Sequence, residues 1–292
     1  MLRRTILRSR KNLQHQLQID QLGWARVDLL RILVRRDLEA RYKGSVLGNF
    51  WPLINQLSQL LIYTYVFSVV LQVKGRADLL PNSDSSLAFG LWLFAGLVPW
   101  LAFTGGLTRA ATSVIEQPNL VKKVVFPLSL LPLVPILTAF IESAFGLAAL
   151  IVLVALVSHT LPPTLALLPL IWIPQLVLTA GLGYFMAGLT VFLRDIPQML
   201  GVALNLWFYL TPIVYPVEKL EQIQIAGISN LSDLVLRLNP LAAIAEIYRD
   251  IAVAGKIDHW LEWGILTVIS LLVFIGGLWI YRRLRPAFAD VL

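Results

Sequence analysis

The chain has 292 residues, 58% of them hydrophobic and only 14% charged, with a net charge of +7 and no cysteine. A soluble domain carries about a quarter charged residues, so this composition, with a mean hydropathy of +0.75, belongs to a chain dissolved in a bilayer. The missing cysteines exclude disulfides, thiolate metal sites and cysteine nucleophiles.

Residues 1–24 are polar and basic and lack the apolar core of a signal peptide, so no cleavage is expected there. Residues 25–45 read as an amphipathic helix: Val27, Leu30, Val34 and Leu38 share a face, and Asp37/Arg41 and Glu39/Lys43 are i,i+4 pairs. Two readings of its bases are open. They anchor the helix in the membrane interface, or some of them, with Arg35, Arg36, Arg41 and Lys43 as candidates, bind a phosphate-bearing lipid headgroup.

Six charge-poor runs follow, at about 47–73, 87–107, 133–157, 165–193, 199–215 and 265–281. Each is of the order of the ~20 residues that cross hydrocarbon as helix, and backbone in lipid must satisfy its own hydrogen bonds. The expected fold is therefore all-α: six transmembrane helices, an N-terminal interfacial helix, and an outer re-entrant hairpin after the fifth span. In domain terms, 1–24 is a basic extension, 25–45 the interfacial helix, 46–285 the membrane domain and 286–292 a tail.

Residues 1–45 carry eleven Lys and Arg, and further bases follow the second, fourth and sixth runs, whereas Ser158–Thr164 has none. The positive-inside rule places both termini in the cytoplasm. A basic patch can also bind nucleic acid, but bases at membrane ends point to topology and anionic lipid, not nucleic acid.

Within the runs, Asn55, Gln56, Ser58 and Gln59 sit at one end of the first, where they either bond between helices or line a path. Aromatics are dense, including Trp51, Tyr63, Tyr65, Trp92, Trp100, Trp207, Phe208, Tyr209 and Tyr215. They read either as interface belts or, where mid-span, as a stacking surface for sugar rings. Glu142 is the one acid inside the third run; it implies a structural partner or, less simply, proton coupling. Residues of about 115–127, containing Glu116, Asn119, Lys122 and Lys123 with prolines at Pro118 and Pro127, read as a polar loop helix that either merely connects or docks a partner. The fourth run contains GLGYFMAG, a close-packing stretch. After the fifth, about 216–250, Asn239-Pro240 starts the second of two amphipathic helices that either cap the bundle or gate a path.

No GxxxxGK[ST] is present, and His15, His159 and His259 are scattered without a paired-acid or HExxH site, so neither ATP hydrolysis nor other catalysis is expected of this chain.

RRDLEARYKGSVLGNFWPLINQL, LVKKVVFPLSLLPL, VFLRDIPQML and LWFYLTPIVYPVEKL with LNPLAAIAEIYRD occur in that order. Together they resemble the type-2 ABC transporter permeases of polysaccharide export, the O-antigen, capsule and teichoic-acid exporters, over about 25–285. The resemblance implies a homodimer in the bacterial inner membrane, docked to two copies of a separate ATPase that carries the ATP and Mg. It implies that Glu116, Asn119, Lys122 and Lys123 belong to the coupling helix and that 216–250 forms an outer gate. The substrate it implies is a polyprenyl-pyrophosphate-linked glycan threaded outward through an aromatic-lined channel. A related permease for a drug or small lipid is the alternative, and a membrane-embedded glycosyl or phosphoryl transferase a more distant one.

Overall fold

A computed structural model describes residues 25–70, 85–122, 126–159, 161–217 and 231–292; among them every regular element is helical. Helix α1 (25–42) ends at Gly44, whose φ of 81° suits a residue without Cβ. A 3-10 turn at Gly48–Phe50 leads into α2 (Trp51–Thr64), which Pro52 opens and a π-helical stretch, Tyr65–Val70, extends. Then come α3 (Ser85–Thr112), the single-turn α4 (Pro118–Val121), α5 (Leu130–Ser158), α6 (Leu168–Thr190) behind a 3-10 turn, and α7 (Ile196–Leu210). Last are α8 (Leu231–Leu238), α9 (Pro240–Arg249), α10 (Trp260–Leu284) and the short α11 (Phe288–Val291).

Four helical segments among the described residues, built on α3, α5, α6 and α10, are long and apolar enough to cross a membrane. The chain is therefore a multi-pass membrane protein. The other two expected spans are shorter as seen here. Helix α2 with its π extension reaches Val70, where description stops. The run expected to span to Tyr215 is helical only to Leu210, because Thr211 turns extended (ψ 133°) ahead of Pro212. Its 15 residues reach about 22 Å at 1.5 Å each, short of the ~30 Å hydrocarbon.

Helix α3 is the centre of the bundle. Of its most apolar stretch 83% is buried, against 17% for α10, which packs along α6 at the periphery. The contact between α6 and α10 is backbone to backbone. A Cβ on Gly277 would lie 2.0 Å from the Gly181 carbonyl oxygen, and one on Gly181 would lie 2.6 Å from the Phe274 backbone. The GLGYFMAG stretch is thus a packing element, as its small residues suggest.

Helix α1 docks through Leu33 and Val34 against Leu130 and Val134 of α5, with Leu29, Leu30 and Leu38 beside them. Val27, expected on this face, is 56% exposed instead, because α1 meets the bundle only from Leu29 onward. The connection expected as a helix over about 115–127 holds only one helical turn, since Gln117 leaves helical geometry (ψ 51°) between the α3 end and Pro118. Val121 and Leu120 of that turn pack in a cluster with Phe126, Tyr281 and Phe288.

Helix α9 is buried along its whole length from Leu241 to Arg249, against α3 and α10. The expected outer hairpin is therefore wedged into the bundle by its second helix. Residues 218–230 of that hairpin lie outside the described residues, as do 1–24 and Lys123.

Candidate substrate path

An ion-pair cluster lies where α1, α3 and α5 converge. The Glu142 carboxylate on α5 takes Tyr42 Oη at 2.8 Å and Arg41 Nη1 at 3.3 Å on Oε1, and Arg109 Nη2 at 2.9 Å on Oε2. Arg41 also holds Asp37, at 2.6 Å. The last turn of α1 aims Arg41 and Tyr42 inward, and Arg109 sits in the last turn of α3, where a cation also suits the helix dipole. A carboxylate shielded from water is stable only when paired, so Glu142 has the structural partners its position called for. Burial and the Glu142 carboxylate push the Tyr42 phenol well above its ordinary pKa, which keeps it a protonated donor.

The polar end of α2 adjoins this cluster. Gln56 donates to the Glu142 backbone carbonyl at 3.0 Å. Its Oε1 is buried without a partner and sits over Gly146, where a Cβ would overlap it. Together Tyr42, Asn55, Gln56, Gln59, Arg109 and Glu142 line a cavity of about 310 Å³.

A second cavity of about 440 Å³ continues between α2, α3 and α7, and Gln59 and Leu101 line both. Its wall brings together Tyr63, Trp100, Phe208 and Tyr209. Ring centroids are 5.8 Å apart for Tyr63–Phe208, 5.4 Å for Trp100–Phe208 and 5.2 Å for Phe208–Tyr209. Thr104, Thr108 and Asn205 add hydrogen-bonding groups beside these faces. A third cavity, of about 250 Å³, lies on the α1 side of the ion-pair cluster and is lined by Arg36, Asp37, Arg41, Arg109 and Glu116.

The other candidate residues are placed elsewhere. Trp51 donates to Ser45 Oγ in the α1–α2 turn at 2.7 Å, and Tyr65 is 58% exposed. Tyr215 is half-buried and bonds the Tyr209 carbonyl. Trp207 donates its indole N–H to Asn239 Oδ1 at 3.1 Å, the same oxygen that caps α9. Trp92 is buried beneath Arg249. Arg35 pairs with Glu39 on the exposed face of α1, and Lys43 is exposed. Glu116, Asn119 and Lys122 are exposed together around α4.

Two functional-looking groups escaped the sequence reading. Arg109 looked like a topological charge at a span end, and no local spacing in the sequence shows that it turns to Glu142, 33 residues away. Arg249 is 2% exposed and anchors α9; an acid and a base three residues apart in an otherwise apolar helix, Glu246 and Arg249, were the available signal. Among the described residues no three metal-ligating side chains converge.

A membrane bundle with a polar cavity at one end of a groove and aromatic faces along it has the makings of a transport protein. The comparisons agree: residues 28–251 match the model of the ABC-2 type transporter family, and the chain belongs to that family. Two O-antigen export system permease proteins RfbA of Klebsiella pneumoniae are 30% and 29% identical over 270 residues, 91% of this chain and 95% of theirs. The protein of that name from Myxococcus xanthus is 28% identical over 262 residues, 90% of this chain and 94% of its own.

Proposed function

We propose that the chain is the permease subunit of an ATP-driven exporter of an O-antigen-type polysaccharide. It carries the glycan on a polyprenyl-pyrophosphate from the cytoplasmic to the outer side of a bacterial inner membrane, with both termini cytoplasmic. It works as a homodimer, and two copies of a separate ATPase supply the energy, docking around Glu116, Asn119 and Lys122 of the α4 turn. The observation that carries the reading is the adjoining pair of cavities, polar at Glu142 and aromatic at Phe208, in a chain whose relatives are O-antigen exporters. Aromatic faces suit sugar rings, and Arg36, Arg41 and Arg109 of the α1-side cavity, set among Asp37 and Glu116, offer donors to the carrier's phosphates.

The test is deletion and complementation in the source organism. Loss of surface polysaccharide with lipid-linked polymer accumulating inside, restored only by this chain together with its ATPase, is the expected result. Normal surface polysaccharide in the deletion strain sinks the reading. Export of a small amphiphile in its place favours a drug or lipid permease.

A further inference from the structure

Arg109 lines both the cavity on the α1 side and the cavity beside Gln56, and its ion pair with Glu142 lies at their junction. The two partners differ in how tightly they are held. Glu142 is 13% exposed and has three donors, Arg41, Tyr42 and Arg109. Arg109 is 33% exposed, and its Nε is tethered to the Gly105 carbonyl of its own helix at 2.7 Å. Withdrawing Arg109 therefore leaves Glu142 paired with Arg41 and Tyr42, not orphaned, while the guanidinium keeps its anchor and turns its outer nitrogens to another acceptor. A phosphate is the acceptor such a fork fits best, because two parallel charge-assisted bonds can form. The cluster is neutral at rest, two arginines against Asp37 and Glu142, so an arriving dianion competes for an Arg already engaged.

We propose that the Arg109–Glu142 ion pair is a gate between the two cavities, held shut by internal neutralisation and opened when a phosphate-bearing headgroup takes Arg109 from Glu142. This rests on the transport reading above, and it makes Arg109 the residue that recognises the charged end of the substrate.

The absence of cysteine allows a direct test. Gln59→Cys, on the wall shared by the inner two cavities, reports access past the gate; Arg31→Cys, exposed on α1 and lining none of the three cavities, is the control. The full permease with its ATPase is placed in inverted membrane vesicles and labelled with a membrane-impermeant maleimide. Glu142→Gln is expected to raise the labelling rate at the Gln59→Cys site several-fold and to leave the control unchanged. Millimolar inorganic pyrophosphate is expected to do the same in the otherwise unaltered chain, and to do nothing when Arg109→Gln is present. The exchange Arg109→Glu with Glu142→Arg is expected to close the site again without a response to pyrophosphate, which separates a lost gate from a lost fold. Unchanged labelling in Glu142→Gln, no response to pyrophosphate, or a response that survives Arg109→Gln each overturns the proposal. If access follows phosphatidylglycerol content and not pyrophosphate, the ligand is ordinary membrane lipid and the substrate role of Arg109 falls. Labelling needs no exported polymer, so intact gating in a chain that exports no glycan counts against the transport reading alone.

Discussion

The Arg249 guanidinium lies 3.6 Å from the centre of the Trp92 ring, so a charge is stacked on an aromatic face in the middle of the bundle. Its nitrogens bond Glu246 and the carbonyls of Pro212 (2.8 Å), Ile213 (2.7 Å) and Trp92 (3.3 Å). One side chain thus ties α9 to α3 and to the turn that ends α7. Gly96 makes room for it, since a Cβ there would lie 2.8 Å from Nη2.

Removing that charge should be more damaging than removing the pair. Arg249→Ala leaves Glu246 buried and unpaired and frees three carbonyls, a cost of about 3–5 kcal/mol. Arg249→Met with Glu246→Leu keeps volume and leaves no buried charge, so it should cost clearly less. Thermal unfolding of the detergent-purified protein measures both. Equal losses would mean that the carbonyl bonds dominate.

The α6–α10 contact predicts a sharp contrast between neighbouring glycines. Gly277→Ala drives a methyl into the Gly181 carbonyl and should destabilise by roughly 1–3 kcal/mol, as overpacking does. Gly276→Ala meets nothing within 4 Å and should be close to neutral or slightly stabilising through helix propensity. A pair of melting curves decides it.

The loop before α10 should respond to pH. Asp250 accepts from the His259 ring at 2.8 Å and from the backbone N–H groups of Asp258 and His259. That hydrogen bond to Asp250 raises the His259 pKa against the opposing effect of burial, and Asp250, Glu246 and Glu262 add their negative charge. A raised histidine stabilises the fold fully below its unfolded pKa of about 6.5 and loses that contribution as pH climbs through the native value. Stability of the unaltered chain should therefore fall from about pH 6.5 upward by more than that of His259→Gln. Parallel slopes for the two proteins would remove His259 as the cause.

Residues of the aromatic groove should separate from aromatics outside it. Phe208→Ala or Tyr63→Ala removes a face of the wall and should reduce polysaccharide export while expression persists. Tyr65→Ala, exposed on the π-helical extension, should export normally. Trp207→Phe should act through stability, because it deletes the bond to Asn239, worth about 1 kcal/mol. Surface polysaccharide and melting temperature, measured together, distinguish the two kinds of effect.

Local chemistry carried much of the architecture. Charge-poor runs of the right length located α3, α5, α6 and α10, and Asn239-Pro240 located the start of α9, whose cap bond forms as the pair suggests. Alternation of apolar and charged residues also identified α1, although its contact face starts two residues later than Val27. Where a turn competed with hydropathy the reading failed. Thr211-Pro212 ends α7 well before its apolar run ends, and Gln117 confines α4 to one turn.

The sequence by itself determined the solvent of this protein, because apolar length and charge scarcity act through the bilayer whatever the chain's neighbours are. It also singled out Glu142 as a residue in need of partners. Which partners it has was decided only by the tertiary structure: Arg109 is 33 residues away and Arg41 is 101. The same holds for the nine aromatics named from sequence, of which Tyr63, Trp100, Phe208 and Tyr209 share one wall. Composition cannot order them, because a stacking surface exists only where helix packing sets rings from three different helices within about 6 Å of one another.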